Sequence, residues 1–262
     1  MSSVLHPEWT FAPDRLTLPP HVIHIWRASL NLSPLQLGEL AQTLSTDELQ
    51  RADRFRFESD RHRFIAARGT LRAILGRYLE IAPGQIQFHY AVHGKPAIAM
   101  PATDPAPRPF LEFNLSHSQD LMVCAITRHN RVGIDLEYLH PIPNLEGLTR
   151  RFYSAQEYSA IQGLSADQQV RSFFQHWTCK EAFLKAIGEG LGELSQVEVL
   201  IDAEQAQLIQ CPEQASPLQQ WLLHLFTPAP GYIAALAGDL AAPECPSASW
   251  NFLFWDWQEQ EE

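Results

Sequence analysis

The sequence predicts an α+β fold made of two similar halves that meet near residues 128 to 132. Two observations predict it. Runs with the period of a strand stand apart from runs with the period of a helix, and the order strand, helices, strands occurs once before that junction and once after it. The length, 262 residues, suits one large domain or two of ordinary size, and folding at this length buries roughly 70–75% of the surface an unfolded chain exposes. The halves are residues 1–130 and 131–262, with no clear repeat of the residues themselves.

Residues 21 to 26 alternate apolar side chains and read as a strand. Ser45 with Glu48 has the spacing of a capping box, which starts a short helix. A longer helix spans residues 59 to 80, where Phe64, Ile65, Leu71, Ile74, Leu75 and Tyr78 mostly recur three or four apart; Pro83-Gly84 ends it. Residues 86 to 92 read as a strand and His93-Gly94-Lys95-Pro96 as a turn. Residues 101 to 109 hold four prolines and read as a surface loop. Strands at 110 to 115 and 121 to 126 follow, joined by Ser116-His117-Ser118-Gln119-Asp120, and after a turn at His129-Asn130 comes a strand at 131 to 138. In the second half Ser154 with Glu157 and Ser165 with Gln168 start helices, the latter running to Ile187, and Gly188, Gly190 and Gly192 make a flexible loop. Strands are predicted at 197 to 201, 221 to 226 and 232 to 237, with an aromatic tail from Trp250 to Trp257, counted with the second half, that either packs on the body or forms an exposed patch.

A net charge of −11 argues against a nucleic-acid partner, which needs a broad basic face. The positive charge is concentrated: Arg51, Arg54, Arg56, Arg61, Arg63, Arg68, Arg72 and Arg77 form either a solvated helix face or a seat for a compact polyanion. The chain holds sixteen arginines and only three lysines, Lys95, Lys180 and Lys185. Lysine is a compact point charge that can approach one phosphate oxygen, so its use against the prevailing arginine marks those positions. Cys124, Cys179, Cys211 and Cys245 show neither disulfide nor zinc spacing, which fits a reduced cytoplasmic protein. No basic-then-apolar leader opens the sequence and no apolar run is long enough to span a membrane, so no membrane partner is expected.

In Arg131-Val132-Gly133-Ile134-Asp135-Leu136-Glu137, strand alternation turns Asp135 and Glu137 to one face, about 7 Å apart, close enough to share a hard divalent cation. A polar, solvent-facing strand side is the plain alternative. Helical spacing then stacks Phe173, Trp177, Glu181 and Leu184 in one stripe, where Glu181 interrupts an apolar face and needs a partner. An ordinary pair with Lys185 would serve, but a third carboxylate meeting Asp135 and Glu137 round a metal explains the placement better.

Gly133-Ile134-Asp135-Leu136-Glu137, followed by Trp177-Thr178-Cys179-Lys180-Glu181-Ala182-Phe183-Leu184-Lys185, resembles the paired signature of the 4′-phosphopantetheinyl transferases. Gly94-Lys95-Pro96, Phe113-Asn114-Leu115-Ser116-His117-Ser118 and Arg151-Phe152-Tyr153-Ser154 leading to Glu157-Tyr158 match as well, in the same order, and point to the longer Sfp-type branch. The resemblance implies a pseudo-dimer with coenzyme A in the cleft between its halves, acting as a monomer. It implies Mg²⁺ on Asp135, Glu137 and Glu181, with Glu181 also the general base and Lys185 beside the pyrophosphate. It implies that Lys95, Ser116 and His117 hold phosphates, that Arg51 and Arg63 face the 3′-phosphate, and that Lys180 lies close by. The implied reaction moves 4′-phosphopantetheine to a serine of an apo acyl or peptidyl carrier protein and releases 3′,5′-ADP. Glu48 is a departure, since relatives can carry a lysine near the first short helix. Two rival readings use the same acids: a metal-dependent phosphodiesterase or nuclease, and a non-catalytic carrier-binding module.

Overall fold

The computed structural model of the chain describes residues 6–99, 111–202, 205–213, 215, 217–240 and 250–257. In chain order the first half contains β1 (Thr10–Phe11), β2 (Val22–Ser29), α1 (Pro34–Gln42), α2 (Thr46–Ala52), α3 (Glu58–Leu79), β3 (Phe88–Tyr90), β4 (Pro96–Ile98), β5 (Leu111–Ser118) and β6 (Leu121–Arg128). The second contains β7 (Val132–Tyr138), α4 (Leu145–Phe152), α5 (Ala155–Gln162), α6 (Ala166–Ile187), β8 (Glu198–Asp202), β9 (Gln205–Gln210), β10 (Trp221–Phe226), β11 (Tyr232–Asp239) and β12 (Asn251–Asp256). The predicted α+β class holds. From β2 to β6 and from β7 to β11 the order of elements is the same: a strand, three helices, a short hairpin, two strands.

Apart from the two-stranded hairpins β3–β4 and β8–β9, the strands form two sheets with matching order. The larger runs β1-β12-β2-β6-β5 and the smaller β10-β11-β7, so in each the half's opening strand lies beside its last. Alternation along β6 sends Met122, Cys124 and Ile126 to α3, while Val123 and Ala125 face the second sheet. On β11, Ala234 and Leu236 face the first sheet while Ala235 and Ala237 pack under α6. The result is four layers: α3, sheet, sheet, α6.

Helices α2, α5 and α6 begin at their predicted capping boxes. Glu48 accepts from the Ser45 backbone N–H at 2.9 Å and Glu157 from that of Ser154 at 2.7 Å, closing capping boxes on α2 and α5. Helix α3 stops earlier than Pro83-Gly84, on Glu80 in the left-handed conformation at φ 54°. The carbonyl of Ile81 folds back over Gly76, where a Cβ would come within 2.8 Å of it. The joint between β5 and β6 is also shorter than expected: β5 continues through Ser118, pairs Ser118 with Leu121, and leaves only Gln119-Asp120 as the turn. Ser116 and His117 are therefore strand residues. The proline-rich segment 101 to 109 lies outside the described residues. Helices α1 and α4 and strands β4 and β9 are further elements the sequence reading did not give.

The aromatic tail departs from its assignment to the second half. It forms β12, which pairs in parallel with β2, Asn251 opposite Val22 through Asp256 opposite Arg27. Alternation explains the choice: Trp255 packs into the core under α3, while Phe252 and Phe254 cover the layer between the sheets.

Candidate active site

The chemistry gathers where β5 and β7, the neighbouring edges of the two sheets, run under the end of α6. No backbone ladder joins these strands; polar side chains do. The Asn114 amide oxygen accepts from the Ile134 N–H at 2.8 Å, Ser116 Oγ donates to Asp135 Oδ1 at 2.9 Å, and Ser118 Oγ donates to Glu137 Oε2 at 3.2 Å. The period of two makes this possible, since Asn114, Ser116 and Ser118 share one face of β5 while Phe113 and Leu111 turn to the core beneath α3.

Helix α6 approaches β7 backbone to backbone. A Cβ on Gly133 would lie 2.0 Å from the Ala182 carbonyl and 2.5 Å from the Ala186 nitrogen, so only glycine fits there. That contact brings Glu181 over the strand: Asp135, Glu137 and Glu181 each offer a carboxylate oxygen, all within 4.8 Å of one another. Lys185, one turn further along α6, donates to Asp135 Oδ1 at 2.5 Å and to Ser116 Oγ at 3.1 Å, and stands 3.9 Å from Glu181.

The electrostatics follow from crowding. Burial first, then the Asp135 charge, pushes the Glu181 pKa up to about 7, with Lys185 opposing; the same two causes push Glu137 up to about 7. Burial works against the charge on Lys185, but Asp135 and Glu181 outweigh it and hold the ammonium's pKa above its ordinary value. Asp135 Oδ2 is buried with no hydrogen-bond partner among the described residues. An orphaned carboxylate oxygen, beside two acids that resist ionisation together, is a donor set that fits a hard divalent cation.

These groups line a cavity of about 370 Å³ that continues to Arg51 on α2 and to Phe64, Ala67 and Arg68 on α3, with His117 on its wall. Its lining combines acids from β7 and α6 with guanidinium groups from α2 and α3. Arg68 was not singled out from the sequence. It is buried, 3.4 Å from Glu48, with its guanidinium over the Phe88 and Tyr90 rings at 5.3 and 5.8 Å, and its Nη1 has no partner among the described residues. Burial lowers its pKa, and the Tyr90 and Glu48 charges oppose the shift. A larger cavity of about 580 Å³, between α5, α6 and the β8–β9 hairpin, contains none of these acids.

Of the residues expected at the site, Arg51, Ser116, His117, Asp135, Glu137, Glu181 and Lys185 come together. Lys180 and Lys95 do not, and Arg63 lies off the cavity lining while its charge still reaches His117 on the wall. Lys180 is fully buried on another face of α6, donating to Glu157 Oε2 at 2.7 Å and to the Phe152 carbonyl at 3.0 Å. Lys185 lies five positions further along, which turns the two side chains about 140° apart round the helix. Lys95 donates to the carbonyls of Val132 at 3.1 Å and Ala186 at 3.3 Å; burial lowers its pKa to about 8. Arg63 pairs with Asp120 at 2.9 Å and Asp60 at 3.6 Å. Glu48, read as a departure, is an internal counter-ion: Arg72 donates to it at 2.7 Å.

Two family models match this chain: "4′-phosphopantetheinyl transferase, N-terminal" over residues 28–129, and "4′-phosphopantetheinyl transferase superfamily" over residues 131–237. The chain is 43% identical over 235 residues to the 4′-phosphopantetheinyl transferase HetI of Nostoc sp., an alignment covering 89% of this chain and 94% of that protein. It is 29% identical to the 4′-phosphopantetheinyl transferase Sfp of Bacillus subtilis, over 78% of this chain and 84% of Sfp. A solved holo-acyl-carrier-protein synthase from Thermotoga maritima overlaps 41% of this chain and 61% of its own at 22% identity and a TM-score of 0.33, a likeness too slight to bear on the site. The chain belongs to the 4′-phosphopantetheinyl transferase superfamily, in its Sfp-type branch, and is a transferase of that kind.

Proposed function

We propose that this enzyme transfers 4′-phosphopantetheine from coenzyme A to a serine hydroxyl of an apo acyl or peptidyl carrier protein in a Mg²⁺-dependent reaction that releases 3′,5′-ADP. The observation that carries the reading is the convergence of Asp135, Glu137 and Glu181 within 4.8 Å, in a cavity also lined by Arg51 and Arg68. A diphosphate with a second phosphate on its nucleotide suits that lining. Its 3′-phosphate would meet the guanidinium groups, and its pyrophosphate would lie beside the acids through a shared cation.

Asp135, Glu137 and Glu181 would hold Mg²⁺, which when bound would neutralise pyrophosphate charge as the linkage breaks. The serine oxygen forms a bond to the phosphorus that bears pantetheine, and the bond from that phosphorus to the bridging oxygen breaks. Glu181, whose pKa is raised to about 7, takes the serine proton directly or through a water. Lys185 remains charged and stands where it can pair with the phosphate leaving as 3′,5′-ADP. Ser116 fixes Asp135 and Lys185 together through its hydroxyl, and His117 offers a further donor on the cavity wall.

No helix among the described residues is long and apolar enough to cross a membrane, and the described cysteines are free, Cys124 and Cys179 fully buried. Action in the cytoplasm as a monomer, without nucleic acid, completes the proposal. The protein incubated with coenzyme A, Mg²⁺ and a panel of apo carrier proteins should give a carrier heavier by one phosphopantetheine in intact-mass spectra. An unchanged mass for every carrier, with nucleotides released from DNA instead, would transfer the site to phosphodiester hydrolysis.

A further inference from the structure

The acids come from two separate elements, and something must hold those elements in register. Gly133 allows β7 and α6 to touch, but a backbone contact alone does not fix how far α6 slides along the strand. At the end of this seam the β3–β4 hairpin leans in from the first half. Its turn is tight, with Ala91 N–H donating to the Lys95 carbonyl at 2.9 Å, Gly94 N–H to the Ala91 carbonyl at 2.8 Å, and Gly94 at φ 80°. This turn aims Lys95 at both elements at once. Its ammonium donates to the carbonyl of Val132, next to Gly133 on β7, and to the carbonyl of Ala186, next to Lys185 on α6.

The second acceptor lies in the last turn of α6, where carbonyls lack helical partners and the helix dipole favours a cation. Two further contacts tie the same hairpin to the chain just beyond the helix: His93 Nε2 stands 3.5 Å from Glu189, and Gly190 lies so close under the His93 ring that a Cβ there would come within 3.3 Å of Nδ1. Lys95 does not line the cavity that holds the acids. Its nearest charges are Glu112 on β5 and Arg131 before β7.

We propose that Lys95 is a positioning residue: its ammonium latches the end of α6 to β7 and thereby sets the spacing of Asp135, Glu137 and Glu181, rather than binding a phosphate of coenzyme A. The inference rests on the reading that those acids hold the divalent cation. Outer partners that orient metal ligands typically change metal affinity about 10- to 100-fold when lost. Lys95→Met keeps the length of the side chain and removes the donors.

The test is direct Mn²⁺ binding, followed by electron paramagnetic resonance, with transfer kinetics measured on the same preparations. Expected for Lys95→Met is an Mn²⁺ dissociation constant about tenfold weaker and a kcat lower by about the same factor, with KM for coenzyme A within about twofold of the parent. Lys95→Gln keeps donor hydrogens without charge and covers the case in which the methionine variant does not fold; it should show the same pattern at smaller size. Unchanged Mn²⁺ binding with a KM for coenzyme A raised about tenfold would make Lys95 a phosphate ligand and overturn the proposal, as would no change in either quantity. A parent protein that binds Mn²⁺ yet modifies no carrier would defeat the proposed function while leaving the latch to be judged by the binding data.

Discussion

The two halves repeat one scaffold, and a comparison of α3 with α6 separates scaffold from chemistry. Both helices are 22 residues long and both cover the outer face of a sheet. Fourteen residues past its first, each carries a buried cation: Arg72 on α3, Lys180 on α6. Each cation donates to the buried glutamate of the preceding capping box, Arg72 to Glu48 and Lys180 to Glu157. Each also reaches a carbonyl of the short 3₁₀ turn that follows its helix, Arg72 at Pro83 and Lys180 at Leu194. Lys180 is thus the counterpart of Arg72, a tie between the short helix and the long one.

The same alignment shows where the halves part. With His24 and Gly133 in matching places at the seams of α3 and α6, alternation sets Asp135 and Glu137 in the places of Trp26 and Ala28. Helix position sets Glu181 in the place of Ala73. The seam differs too. In the first half His24 and Tyr78 stand between strand and helix, hydrogen-bonded at 2.7 Å; in the second their places fall to Gly133 and Ala186, and the backbones touch. One copy is packed with aromatic groups and the other is drawn together and filled with acids. On the proposed reading the chemistry is an addition to a scaffold that the first half builds with apolar groups in its place.

Removing the grafted groups should therefore cost activity and spare the fold. Asp135→Ala and Glu181→Ala are expected to lower turnover by about 10²–10⁴-fold, while circular dichroism and thermal melting show a folded protein. Retained turnover in both variants would end the metal and general-base assignments together. Breaking the shared tie should do the opposite. Lys180→Met leaves the buried Glu157 without its cation, a change that typically costs about 3–5 kcal/mol of stability, and Arg72→Met, which leaves Glu48 only the more distant Arg68, should cost less. Denaturant unfolding should show both losses, with transfer per folded Lys180→Met molecule near that of the parent. A selective fall in kcat for that variant would return Lys180 to the site.

Much of the site is legible in the sequence because period alone places it. The alternation that pairs Asp135 with Glu137 and the helical stripe that carries Glu181 are local, and both turn toward the same cavity. Scarcity of lysine is a weaker mark, since only Lys185 of the three reaches the cavity. Lys180 answers to Glu157, and nothing in the residues near Lys180 announces a partner on another helix. Arg68 has a signal of the kind that marks Glu181, a charge set in an apolar stripe between Phe64 and Leu71 on α3, but seven other arginines in the same segment mask it. Strand β12 had none, because pairing between residue 251 and residue 22 is a long-range choice made by the core.

The smallest expected effect concerns proton occupancy of the grafted acids. Burial and mutual repulsion raise Glu137 and Glu181 to about 7, so in the metal-free protein both gain protons as pH falls through that value. A divalent cation must displace those protons, which makes its binding strongest above about pH 7 and progressively weaker below it. Mn²⁺ affinity should drop by about tenfold or more between pH 8 and pH 6, and Glu181→Gln, with one proton fewer to displace, should bind more weakly at pH 8 but with a shallower slope. A parent affinity that does not change over this range would mean the acids are already ionised without the metal. The crowding that sets this half apart from its apolar twin would then be relieved by some other cation, for which Lys185, 2.5 Å from Asp135, is the group at hand.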